Sequence, residues 1–317
     1  MMKAIYKKEV KSYLTSMIGY VFIFFILLLE GIYFTAYNLQ NAYPLFGTTL
    51  SAVTFIFLIL VPVLTMKTIA EERKQKTDQL LLTAPVSVSE IVLGKFLAVA
   101  TVYVIPVLII CLYPMIMGKY GTVSYAMAYT AVLGFALLGF AQIAVGVFWS
   151  SVTENPVIAA VVTFIVLFVC YMITGIGSLI PDSSMASLAC YMLLVLLAAV
   201  WIYHMIRNLW IAAVIGIAGE AALAITYVVK STLFEGSIQK FLAVFDITSH
   251  FDNFTNGILD LQGVVYFLSV IIIFLVLTVH FFQLIGQLFN DIPVVGGIYA
   301  ETPLELVFVV VDEQTIQ

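Results

Sequence analysis

The sequence predicts an all-α fold, a polytopic helical membrane protein of about six to eight transmembrane helices. Three observations carry that prediction. Of 317 residues, 63% are hydrophobic and only 10% are charged, well under half the charged share of a soluble domain. That leaves too little polar surface to cover a water-soluble globule and excludes a soluble enzyme. It also excludes a disordered chain, which needs low hydropathy and high charge. Second, the charges are sorted along the chain. Between Lys11 and Lys67 the sole charge is Glu30, between Lys95 and Lys119 there is none, and between Lys119 and Arg207 there are only Glu154 and Asp182. Such runs exceed the roughly 20 helical residues that cross the hydrocarbon. Third, the runs do not alternate apolar and polar residues, as the strands of a β-barrel would.

The chain opens with Lys3, Lys7, Lys8 and Lys11 among Ile5, Val10, Tyr13 and Leu14. This mix suits a short helix on the inner leaflet, with apolar groups dipped and lysines near anionic lipid. The apolar run that follows is too long for a secretory h-region and has no clear cleavage site, so it reads as a retained first span. Eight spans follow from hydropathy: Met17–Tyr37, Ser51–Met66, Phe96–Met117, Tyr125–Trp149, Val157–Ile180, Leu188–Ile206, Leu209–Val229 and Val264–Phe282. The sixth and seventh are separated only by Arg207-Asn208, so they form a tight hairpin or one broken element, and six or seven crossings stay open.

Orientation follows from the basic residues. With the N-terminus inside, ten of the thirteen Lys and Arg are cytoplasmic, and Lys119, Lys230 and Lys240 lie outside. The positive-inside rule therefore predicts a multi-pass protein of the cytoplasmic membrane with a cytoplasmic N-terminus. In the outer loop Ser231–Gly263, Phe251, Phe254, Ile258 and Leu259 recur at helical spacing. They follow Ser249-His-Phe-Asp252, which resembles a capping box, so a short amphipathic helix is expected there. Residues 1–283 form the membrane domain. Residues 284–317 form a tail with five acids, no base and a strand-like Val307–Val311; its role is not readable. Cys111, Cys170 and Cys190 sit inside apolar runs and imply no disulfide framework.

The informative segment is Lys67–Lys95, between the second and third spans and holding five of the thirteen basic residues. Glu72 to Lys76 and Lys74 to Asp78 are i,i+4 opposite-charge pairs that favour helix. Leu80, Leu81 and Leu82 give that helix an apolar end, and Thr83-Ala84-Pro85 breaks it. Ser87-x-x-Glu90 is a capping box that starts a second helix running through Gly94-Lys95 into the third span. The predicted object is a lever: a charged helix, a rigid turn, and a helix feeding the membrane.

The stretch Glu71-Glu72-Arg73-Lys74-x-x-Thr77-Asp78-x-Leu80-Leu81-x-x-x-Pro85-Val86-x-x-x-Glu90-Ile91-Val92-x-Gly94-Lys95 resembles the signature of type-2 ABC transporter permeases, nearest the gliding-motility (GldF-like) and nitrous-oxide-reductase accessory (NosY-like) branches. Two later stretches are similar to the same family. One is Ser151-x-Thr153-Glu154-Asn155-x-x-Ile158-Ala159. The other is His250-Phe-Asp252-x-Phe254-x-x-Gly257-x-x-Asp260 followed by Val264–Ser269. The resemblance implies a membrane-spanning permease subunit, of an exporter, whose first cytoplasmic loop is a coupling helix docking on a separate ABC ATPase subunit. It implies a partner-contacting or partner-positioning set of Glu71, Glu72, Arg73, Lys74, Thr77, Asp78, Pro85, Glu90, Gly94 and Lys95. Thr153, Glu154 and Asn155 form the second inner loop. A second permease copy or a paralogue would complete the path, in the lipid bilayer, with no nucleic acid partner.

The chain lacks Gly-x-x-x-x-Gly-Lys-[Ser/Thr], since Gly94-Lys95-Phe96 has neither the leading glycine nor the hydroxyl residue. Another polypeptide must supply the energy, and no enzymatic activity or cofactor is expected of this one. Glu30 and Glu220 are acids inside apolar runs. They read either as members of the substrate path or a helix–helix contact, or as interfacial and structural groups. His250 with Asp252 is too small a set for a metal. The alternative class is a secondary transporter or channel not driven by ATP, which calls for paired broken spans or repeated halves. A membrane enzyme has no polar catalytic cluster to support it.

Overall fold

The computed structural model describes residues 2–77, 86–206 and 208–290. Asp78, Leu80, Leu81, Pro85 and Arg207, and the tail from Asp291 on with its strand-like stretch, lie outside the described residues. Among those described, every regular element is helical. They are α1 (Met2–Thr15), α2 (Met17–Tyr33, continued by a π-helical Phe34–Gln40), α3 (Phe46–Thr54), α4 (Phe57–Thr65), α5 (Ala70–Lys74), α6 (Val88–Ile110), α7 (Tyr113–Met117) and α8 (Tyr125–Val152). There follow α9 (Pro156–Ser178), α10 (Ser184–Ile206), α11 (Leu209–Val229), α12 (Ser237–Ala243), α13 (Asp252–Thr255) and α14 (Leu261–Asn290).

Among the described residues, five helices are long and apolar enough to cross a membrane: Met17–Gln40, Val88–Met117, Tyr125–Val152, Pro156–Ser178 and Leu261–Leu284. The number is seven if each of two bent pairs is one span. The second span read from hydropathy is one of these pairs, α3 and α4, bent by 60°. At the break the bonds shorten to i→i−3, from Ile56 to Val53 and from Leu58 to Phe55, while the Thr54 hydroxyl donates to the Ser51 carbonyl at 2.7 Å. A side chain that competes for a helix carbonyl is a common cause of such bends. The seventh span also bends, by 115° between Ala213–Val229 and Ser231–Ala243. The sixth lies within the 23-residue helix α10, Ser184–Ile206.

The chain divides into two compact units, the first made of residues up to Val166 and from Phe251 onward, the second of Leu167–His250. In the first, α8 is the central element and packs against α3, α4, α6, α13 and α14. Phe57, Tyr103 and Phe135 are fully buried around it. The Tyr103 hydroxyl, which needs a partner once buried, donates to the Phe135 carbonyl at 2.7 Å. Phe251 and Phe254 are also fully buried, whereas Ile258 and Leu259 are exposed. The aromatic pair is thus core packing, Phe251 ending a 3-10 turn and Phe254 sitting in the single turn α13.

Gly47 of α3 meets α13 at close range: a Cβ there would lie 2.1 Å from the Thr255 carbonyl oxygen and 2.6 Å from its Cα. Backbone cannot yield as a flexible side chain can. Gly47→Ala is expected to destabilise by about 1–3 kcal/mol, seen as a lower melting temperature in detergent. Gly175→Ala, in a helix with nothing within 4 Å of the added methyl, is the control and should not lower it.

In the second unit, α10 and α11 pack closely, with Gly216 against Ala199 and Gly219 against Val195. The turn before residue 250 is capped by Asp246, whose Oδ1 accepts from the Thr248 and Ser249 amides at 2.9 Å. Ser249 is not the cap that its spacing suggested. Its hydroxyl donates back to the Asp246 carbonyl at 3.1 Å.

Candidate functional site

Residues 67–77 and the start of α6 meet α1, the end of α8 and α14 at one end of the first unit. Two of their charges, Glu72 and Lys95, join a knot with α1. Lys95 is 1% exposed, which an ammonium tolerates only when paired and hydrogen-bonded. Its Nζ donates to the Thr68 carbonyl at 2.7 Å and to Glu9 Oε1 at 3.2 Å, and it forms a charge pair with Glu72 Oε2 at 2.8 Å. Thr68 and Glu9 take two of the ammonium's protons, and the Glu72 carboxylate beside it balances the charge. Lys8 completes the set, 3.2 Å from Glu72 Oε1 and 3.7 Å from Glu9 Oε1. Two acids and two bases give a locally neutral cluster that ties α1, α5 and α6 together. Partial burial lowers the Lys8 pKa, but the Glu72 and Glu9 carboxylates outweigh that effect and hold it above the usual lysine range. Tyr13 of α1 adds a fourth tie. Its buried hydroxyl lies 3.2 Å from the Leu64 carbonyl and 3.0 Å from the Thr68 hydroxyl, and burial pushes its pKa up.

On its other side, the segment around α5 is clamped to the end of α8. The Ser150 hydroxyl oxygen accepts from the Ile69 and Ala70 amides, both at 3.1 Å, and lies 3.2 Å from the Met66 carbonyl. It is the N-terminal cap of α5, supplied from 80 residues away, because Ile69 at the cap position has no side-chain acceptor. The Arg73 guanidinium is buried. It donates to the Ser151 carbonyl, one of the free carbonyls at the negative end of α8, and lies 6.0 Å from the Phe281 ring centroid of α14. Ser150→Ala strips two buried amides of their acceptor and is expected to cost about 1–2 kcal/mol, measured as a fall in melting temperature that Ser150→Thr largely avoids.

The residues singled out in the sequence therefore divide by place. Glu72, Arg73 and Lys95 turn inward. Glu71 pairs with Lys67 at 3.4 Å. Lys74 is exposed. Thr77 closes the helix, its amide donating to the Glu72 carbonyl at 2.9 Å. The expected Glu72–Lys76 pair does not form: α5 ends at Lys74, and Glu72 pairs with the distant Lys8 and Lys95 instead. Asp78 and Pro85 lie outside the described residues. Glu90 is held as foreseen, its amide donating to the Ser87 hydroxyl at 3.4 Å. Gly94 faces Ile5 and Met2 of α1, where a Cβ would be 3.4 Å away, so this packing alone does not demand glycine.

In the loop between α8 and α9, Asn155 Oδ1 accepts from the Val157 amide at 2.9 Å and starts α9, and the Thr153 hydroxyl bonds back to Trp149. Glu154 makes no such contact among the described residues. Glu30 is fully buried in α2 and Glu220 sits in α11; neither carboxyl has a hydrogen-bond partner among the described residues. Glu220 lines an apolar cavity of about 600 Å³ with Leu196, Val200, Tyr203 and Ile217. No group of three or more metal-ligating side chains occurs among the described residues. Sequence reasoning missed Glu9, Tyr13 and Ser150. The only sequence signal for them was an acid among the N-terminal lysines and a hydroxyl pair, Ser150-Ser151, at a helix end.

A family model described as ABC-2 family transporter protein matches residues 3–287. No curated protein matches the chain. With a match over nearly the whole length and five to seven apolar helices fit to cross a bilayer, the chain belongs to the ABC-2 transporter family and is a multi-pass membrane permease subunit of an ABC transporter.

Proposed function

We propose that the chain is the permease of an ATP-driven exporter, and that α5 with the start of α6 is the handle through which a separate ATP-hydrolysing subunit moves the bundle. The N-terminus and residues 67–95 face the cytosol in this reading, in keeping with the ten basic residues assigned to that side. A second copy or a paralogue completes the path. Residues 1–283 form the permease body, and 284–317 an added acidic tail.

The observation that carries the reading is the clamping of α5 from both sides. A short helix of five residues has no stability of its own, yet this one is fastened to α1 and α6 by the Lys95 knot and to α8 and α14 by Ser150 and Arg73. A displacement of α5 must therefore be passed to those helices. In this scheme Glu72, Arg73 and Lys95 are positioning residues that keep the handle stiff. Glu30 and Glu220 belong to the membrane path or to contacts between helices.

The test is reconstitution. The chain and the ATPase that copurifies with it should move substrate in proteoliposomes only with hydrolysable ATP. Transport by the chain alone, following an ion gradient, would favour the secondary-carrier alternative.

A further inference from the structure

Within residues 67–77 most charges are consumed internally. Lys67 pairs with Glu71, Glu72 with Lys8 and Lys95, and Arg73 caps the end of α8. What remains on the surface has one sign. Lys74 and Lys76 are exposed, and neither has a partner among the described residues. Lys76 is also held at φ 56°, in the left-handed region. Its amide donates to the Arg73 carbonyl at 3.0 Å while that of Thr77 donates to Glu72 at 2.9 Å. This is the helix-ending motif whose left-handed position glycine fills without strain. A lysine kept there gives up local stability and offers only its ammonium in return.

We propose that Lys74 and Lys76 form a basic docking face for an acidic surface on the ATP-hydrolysing subunit. The inference rests on the coupling reading above and adds the partner's chemistry to it. A protein surface fits better than a lipid one. Helix α1 interleaves its lysines with Ile5, Tyr6, Val10 and Leu14, as a membrane-lying helix does, whereas the exposed stretch Lys74-Gln75-Lys76 has no apolar side chain to dip. Exposed charges of one sign set association rate and partner choice, and their effect is screened by salt.

The experiment uses the full chain in lipid nanodiscs and the ATPase that copurifies with it. Affinity is measured against NaCl concentration, in discs with and without phosphatidylglycerol. Lys74→Glu with Lys76→Glu is expected to weaken ATPase binding about tenfold or more at low salt and to flatten the salt dependence, with an unchanged melting temperature. Lys74→Arg with Lys76→Arg should bind within about twofold of the parent. If charge reversal lowers the melting temperature, Lys74→Gln with Lys76→Gln replaces it, and a smaller loss with the same flattening is expected. ATPase affinity unchanged by the neutral or reversed pair overturns the proposal. So does an effect of the variants confined to the anionic lipid, which makes the face a lipid contact. If the unaltered chain binds no ATPase at all, the coupling reading fails with it, an outcome distinct from binding that ignores these lysines.

Discussion

Lys95→Met is expected to lower stability by about 3–5 kcal/mol and to abolish ATP-coupled transport. The substitution keeps the length and apolar stem of the side chain but removes the cation between Glu9 and Glu72. Two carboxylates are then left at the junction with only the largely exposed Lys8 to balance them, and the Thr68 carbonyl loses its donor. Melting temperature in detergent reads the first effect. The informative companion is Lys95→Met combined with Glu9→Gln and Glu72→Gln. The triple variant leaves no buried charge, since the one remaining charge, on Lys8, belongs to a largely exposed side chain that water can solvate, so most of the stability should return. Transport should not return with it if the knot holds α1, α5 and α6 in one register during the stroke. A triple variant that regains both shows that the knot serves stability alone.

Arg73→Ala is expected to cost about 2–3 kcal/mol, the range for losing a buried charge-assisted hydrogen bond, with a smaller share from the ring of Phe281. It removes the donor to Ser151 and the contact with Phe281, loosening α5 from α8 and α14 while leaving the Ser150 cap and the Lys95 knot whole. Arg73→Lys should not rescue it, because an ammonium lacks the planar fork that reaches a carbonyl and lies over a ring together. Melting temperature and the ratio of ATP hydrolysed to substrate moved both report the change. The expected outcome is hydrolysis that persists while transport falls, since the handle is still gripped but held on one side by the Ser150 cap alone.

Hydropathy and charge sorting were enough to read the helices, because burial in lipid demands long uncharged runs and nothing else in the chain supplies them. They could not locate the bend between α3 and α4. That depends on which carbonyl the Thr54 hydroxyl takes, a choice invisible to composition. The segment 67–95 was legible as a unit through its signature, and the Ser87 cap was read from local spacing alone. The inward direction of Glu72, Arg73 and Lys95 was not legible. Local reasoning pairs Glu72 with Lys76, four positions on. The folded chain pairs it with Lys8, 64 positions back, since Lys76 lies beyond the helix end in a left-handed turn. Ser150 was missed for the same reason: a cap supplied from another helix leaves no spacing pattern at the helix it caps.

Gln75 is exposed between Lys74 and Lys76, so a photo-crosslinking amino acid placed there reports what touches the handle in the native membrane. The expected result is one dominant adduct with a Walker-motif ATPase on the cytosolic side, its yield changing when ATP is replaced by a non-hydrolysable analogue. No such adduct, while the same position is labelled from outside the cell by an impermeant reagent, would contradict a cytosolic handle driven by a separate motor.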